Sequence, residues 1–67
     1  MTVDKQTSYK LTFEDAVQIH LMTMDGWYQS RIAAHFGANQ GRVSEVNTGK
    51  LHIGSHEEAL RRRYKAA

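Results

Sequence analysis

The chain contains no cysteine and no proline. Without cysteine, no disulfide staples a small fold and no thiolate holds a metal. Without proline, nothing ends a helix by ring closure, so the five glycines and the polar clusters must do it. No run of about 18 apolar residues is present, which excludes a membrane-spanning helix. The start, MTVDKQTSYK, lacks the charged-then-apolar pattern of a secretory signal. These absences lead to the expectation of a soluble cytoplasmic domain. Length adds a further exclusion. At 67 residues, a folded chain buries only about 60% of the surface its unfolded form exposes, and such a core supplies roughly 3–5 kcal/mol. A catalytic cleft is hard to house in that body, so neither an enzyme nor a cofactor is expected. An interaction surface fits easily.

What is present is ordinary in amount and uneven in placement. Hydrophobic residues make up 40% of the chain and charged residues 24%, the balance of a folded domain. Residues 1–26 set Lys5 and Lys10 against Asp4, Glu14, Asp15 and Asp25, a balance of −2. Residues 27–67 set Arg31, Arg42, Lys50, Arg61, Arg62, Arg63 and Lys65 against Glu45, Glu57 and Glu58, a balance of +4. The second stretch therefore suits an anionic partner.

The pattern of apolar residues predicts an all-α fold of three helices plus a C-terminal helix. Residues 1–11 read as a flexible polar arm, in which either Val3 and Tyr9 pack locally or Tyr9 and Leu11 form a short extended segment, and the domain spans residues 12–67. Thr12 suits an N-cap, and Glu14 and Asp15 follow where the helix dipole favours negative charge. Phe13, Ala16, Val17, Ile19, Leu21 and Met24 then form an apolar face over a helix at 13–24, closed by Asp25-Gly26. A second helix is predicted over 27–36, with Trp27, Tyr28, Ile32, Ala33 and Phe36 at helical spacing and Gly37 as its stop. Asn39 caps a short third helix near 40–48, where Val43 and Val46 point inward and Gly49 ends the run. Leu51 and Ile53 are apolar plugs in the loop 49–55. Ser55 and Glu58 match the S-x-x-E capping box of a last helix reaching about residue 65, with Ala59, Leu60 and Tyr64 as its apolar positions.

Two short helices around a glycine turn impose specific demands when the second must enter a DNA groove. The first needs an apolar residue followed by a small one, so that the backbones approach closely. The turn needs a residue at ease with positive φ. The second needs two inward anchors three apart, leaving its outer face free. Ile32-Ala33, Gly37 and Val43/Val46 supply these in order. Residues 29–48, QSRIAAHFGANQGRVSEVNT, resemble the twenty-residue helix-turn-helix of bacterial and phage repressors: Gln first, then Ile-Ala, glycine ninth, then two valine anchors. The preceding helix fits the support helix of that family. Ala38 departs from the pattern, which has a larger aliphatic residue after the glycine; Phe36 or Leu51 is expected to take over that contact. The chain is also similar in size to regulators of phages and mobile elements, including autorepressors encoded beside anti-CRISPR genes.

The resemblance implies that double-stranded DNA is the partner, read as a palindromic operator by a homodimer. Asn39, Gln40, Gly41, Arg42, Ser44 and Glu45 then occupy the base-reading edge of the third helix. Gln40 would pair with adenine, Glu45 would accept from a cytosine amino group, and Arg42 would reach a guanine or a phosphate. Gly41, with no side chain, would allow a close approach. Gln29 would meet a phosphate at the start of the second helix and brace Gln40. Arg31, Thr48, Lys50 and His52 would contact flanking phosphates. Leu60 and Tyr64 would form the dimer surface, joined by Leu51 and Ile53.

Other features carry less. Arg61 to Arg63 read either as a solvated helix face or as a phosphate or dimer-edge contact. Trp27 and Phe36 read as core, and His35 as a partly exposed packing residue. His52-x-x-x-His56 is not read as a metal site, because Gly54-Ser55 breaks the helix that would align the rings and no third ligand is suitably spaced. Gly37-x-x-x-Gly41 lacks the lysine and hydroxyl of a phosphate loop, and Ser44 lacks a base. Two other functions fit the same residues. One is a recombination or excision accessory factor that bends DNA. The other is a protein-interaction module whose basic C-terminal helix grips an acidic partner.

Overall fold

The computed structural model describes residues 10–66; most of the arm read over residues 1–11 lies outside that range. The described chain forms four helices, α1 (Phe13–Met24), α2 (Gln29–Phe36), α3 (Gln40–Asn47) and α4 (Ser55–Ala66), and the described residues form no strand. The expected all-α architecture is observed. Helix α1 is the central element, packing against α4, α3 and α2, while α2 also packs against α3. None of these helices is long and apolar enough to cross a membrane.

Each helix starts where local chemistry favours it. Thr12 caps α1 reciprocally: its Oγ1 accepts from the Asp15 amide at 3.1 Å, and the Asp15 carboxylate accepts from the Thr12 amide at 3.0 Å. Asn39 caps α3, with Oδ1 accepting from the Gly41 amide at 2.6 Å. The first three helices end alike. After α1, the Gly26 amide donates to Thr23 and the Trp27 amide to Met22; after α2, Gly37 and Ala38 donate to Ala34 and Ala33; after α3, Gly49 and Lys50 donate to Val46 and Glu45. This is the bond pattern of a helix closed by a left-handed residue. At Gly37 (φ 67°, ψ 30°) that turn sets α3 against α2, a conformation in which a side chain is strained.

Two expected helix starts shift. Helix α2 begins at Gln29, not at Trp27. The Trp27 amide is used in closing α1, and Tyr28 is extended (φ −73°, ψ 147°) as the residue preceding α2. Neither aromatic joins the core. Trp27 is 46% exposed with its ring edge-on to His35, and Tyr28 is 78% exposed. The reading of Trp27 as core is thus corrected, whereas Phe36 does pack on the core. The capping box at Ser55 does not form either. Gly54 provides the carbonyl that accepts from the Glu58 amide, so Ser55 becomes the first residue inside α4. Its hydroxyl is buried without a hydrogen-bond partner among the described residues, and the Glu58 carboxylate turns to Arg61 and Arg62.

The core joins Ala16 and Ile19 of α1 to Ile32 and Ala33 of α2 and Val43 and Val46 of α3, with Met22, Phe36, Ala38 and Leu51 against it. Leu11 is also buried there, so the packed unit begins ahead of Thr12, one residue into the expected arm. Ala38 keeps its inward position after the turn glycine, with both Phe36 and Leu51 against the same core. Between α1 and α3, the Thr23 hydroxyl donates to the Asn47 side-chain oxygen at 3.3 Å.

Helix α4 docks on α1 by a different chemistry. Ser55 and Ala59 are buried, and the buried His20 of α1 lies against His56, ring centres 5.0 Å apart. Beyond them Arg62 grips Glu14 with both terminal nitrogens, at 2.7 and 2.9 Å, while its Nε donates to Glu58 at 2.9 Å. Arg63 pairs with Asp25 at 3.0 Å. The arginines of α4 thus meet acids of the acidic half or of their own helix. Arg62 holds the Glu14 and Glu58 carboxyls below their ordinary values, chiefly through these hydrogen bonds.

Candidate nucleic-acid interface

With Val43 and Val46 turned inward, α3 presents its opposite side to solvent. Asn39, Gln40, Gly41 and Arg42 form an exposed leading edge, while Ser44 and Glu45 on the following turn are half-buried. The six base-reading candidates therefore lie on one short helix and its cap, with the first four the most open. The Arg42 guanidinium donates from Nη1 to Glu45 Oε1 at 2.7 Å, so the two charges of α3 are joined to each other.

The candidates flanking α3 divide into two groups. Arg31 on α2 and Lys50 after α3 are exposed and form no ion pair among the described residues. Thr48 is exposed and donates its hydroxyl to the Glu45 carbonyl at 3.3 Å. Gln29 opens α2 half-buried, and no hydrogen bond joins it to Gln40 among the described residues. His52 belongs to the second group. Its backbone is left-handed (φ 54°), and its Nε2 lies 2.9 Å from the Leu11 carbonyl oxygen while its ring stands edge-on to Phe13. Its ring thus ties the loop before α4 to the start of α1. His56 meets His20 instead, so the two histidines of the H-x-x-x-H spacing face different neighbours.

On α4, Leu60 is half-buried and Tyr64 is 75% exposed, one turn apart on the same stripe. Of the two loop residues read with them, Ile53 is 82% exposed, but Leu51 packs against the core of its own chain. His35 is exposed, with its ring between Trp27 and Phe36. Tyr28, expected inside the second helix, is instead a surface residue beside Gln29. The bond pattern that closes α1 excludes it from a helix, and Asp25-Gly26 was the available signal. Comparison with protein-family models, curated proteins and solved structures finds no match for this chain.

Proposed function

We propose that this chain is a helix-turn-helix protein that binds double-stranded DNA sequence-specifically and acts as a homodimeric transcriptional repressor. The observation that carries the reading is the arrangement of α2 and α3. Ile32, Ala33, Val43 and Val46 are buried on one side, while Asn39, Gln40, Gly41 and Arg42 stand open on the other. A helix presented in this way fits the major groove, with Gln40 offering a bidentate contact to adenine and Arg42 one to guanine. Arg31 and Lys50 flank it as cations suited to phosphate. One short reading helix discriminates poorly, so two half-sites about one helical turn apart favour a dimer, with Leu60 and Tyr64 of α4 as the self-contact. The alternative of a basic α4 gripping an acidic partner is less well supported, because Arg61, Arg62 and Arg63 are engaged by Glu58, Glu14 and Asp25.

The deciding experiment is selection of bound fragments from a random duplex pool, followed by titration at several salt concentrations. A palindromic consensus is expected, with log affinity falling linearly in log salt by about 0.9 per phosphate neutralised. Failure to enrich any sequence refutes the reading. Sedimentation that shows only monomer, with and without the selected duplex, refutes the dimer.

A further inference from the structure

Between residues 26 and 56 the chain carries three cations, Arg31, Arg42 and Lys50, and a single acid, Glu45. That acid sits on α3, with its carboxylate 2.7 Å from the Arg42 guanidinium. Its position is fixed by the backbone, because the Glu45 carbonyl accepts from the amides of Lys50 at 2.9 Å and Leu51 at 3.2 Å in closing the helix. Stability gives little reason for such a pair. Both side chains are solvated, at 59% and 40% exposure, and exposed pairs one turn apart contribute little to folding. What the carboxylate changes is the field of the helix. It cancels the sole cation of α3, while Arg31 and Lys50 on either side form no ion pair among the described residues.

We propose that Glu45 is the residue that sets sequence specificity, by holding Arg42 back from indiscriminate contact with phosphate. This rests on the DNA-binding reading above and goes beyond it. With the pair closed, the reading edge is electrically neutral, and non-specific attraction is left to the flanking cations. A base sequence that suits both members engages the pair: guanine N7 and O6 accept from Arg42, and an amino group, cytosine N4 or adenine N6, donates to Glu45. A sequence with no amino group at that place leaves a carboxylate desolvated and unpaired against the groove. Rejection of wrong sites is then a repulsive effect as much as an attractive one for the right site.

The test compares the wild-type chain with Glu45→Gln, which keeps the size of the side chain but removes the charge that holds Arg42. Binding is measured to the duplex selected by the wild type and to a random duplex across a range of salt. With Arg42 freed, one further phosphate contact per protomer, two per dimer, steepens the log–log salt slope on random DNA by about 1.8. Over about 50 to about 200 mM salt, that adds a roughly 12-fold further loss of affinity. At low salt the variant binds random DNA more tightly than the wild type does, and the ratio of selected to random affinity falls. In an Arg42→Ala background the same substitution produces no steepening. An unchanged slope and ratio for Glu45→Gln overturn the inference while DNA binding itself stands. A steepening that persists without Arg42 overturns the claim that Glu45 acts through that arginine. A wild-type chain that binds no duplex at any salt overturns the DNA reading and this inference together.

Discussion

Replacing Ser55 with alanine separates two accounts of how α4 begins, because they predict opposite signs. If Ser55 caps the helix, as the S-x-x-E spacing suggests, its removal costs about 0.5–2 kcal/mol. The structure instead buries Ser55, 1% exposed, with no hydrogen-bond partner for its hydroxyl among the described residues. Burying such a group costs roughly 1–3 kcal/mol, a penalty that alanine removes. Two smaller effects oppose each other. The lost oxygen leaves a gap worth a few tenths of a kcal/mol at about 24 cal/mol per Å3, and alanine regains a few tenths through helix propensity. The net expectation is a gain of about 1 kcal/mol. For a domain of this size that raises the melting midpoint by roughly 4–8 °C. Thermal and urea denaturation of Ser55→Ala measure it directly. Thr12→Ala provides the internal contrast, because Thr12 does cap its helix, and it should lose about 1 kcal/mol. A loss of about 0.5 kcal/mol or more for Ser55→Ala would refute the reasoning and restore the hydroxyl as a cap.

Four further outcomes are expected. Burial, and secondarily the neighbouring His56, hold the His20 imidazole below its ordinary value of 6.5, so the unfolded chain binds the proton more readily. The stability this contributes is present in full above about pH 6.5 and lost as pH falls to the lower folded value. Urea midpoints between about pH 7.5 and 5 should fall, and His20→Leu should flatten that part of the profile; an unchanged slope refutes the assignment. Gly37→Ala meets no neighbour among the described residues but must adopt φ 67°, so denaturation should register a loss of roughly 1–2 kcal/mol. Gly41→Ala gains up to about 1 kcal/mol of helix propensity, but its Cβ falls 3.0 Å from the Asn39 oxygen that caps α3. Its melting midpoint should barely move while affinity for the selected duplex drops, and equal affinity would remove Gly41 from the reading edge. Arg62→Gln unfastens Glu14 and Glu58, so amide exchange in α4 should accelerate more than in α3; uniform exchange would show that the clasp does not hold α4 on α1.

Elements governed by near neighbours in the chain were legible. Thr12 and Asn39 cap helices because the amides they satisfy lie two or three residues away. Gly37 is needed wherever a short turn demands positive φ. The inward pair Val43 and Val46 follows from helical period alone, and with it the outward placement of Gln40 and Arg42. Failures arose where the same local pattern can be satisfied in two ways. Trp27 and Tyr28 have helical spacing to Ile32, but the Trp27 amide is consumed in closing α1. Ser55 and Glu58 have capping spacing, yet the Glu58 carboxylate finds arginines.

The sequence by itself therefore determined the four helices, the turn between α2 and α3, and the side of α3 left to solvent, because helix periodicity and capping act over three or four residues. Charge was settled only in three dimensions. The basic second half looked available to an anionic partner as a whole, yet Arg62 and Arg63 reach across 48 and 38 residues to Glu14 and Asp25. That leaves Arg31 and Lys50 beside α3, with Arg42 held by Glu45. Coulomb attraction depends on distance in space and is indifferent to separation along the chain. Which cations stay open was therefore decided by how α4 lies across α1.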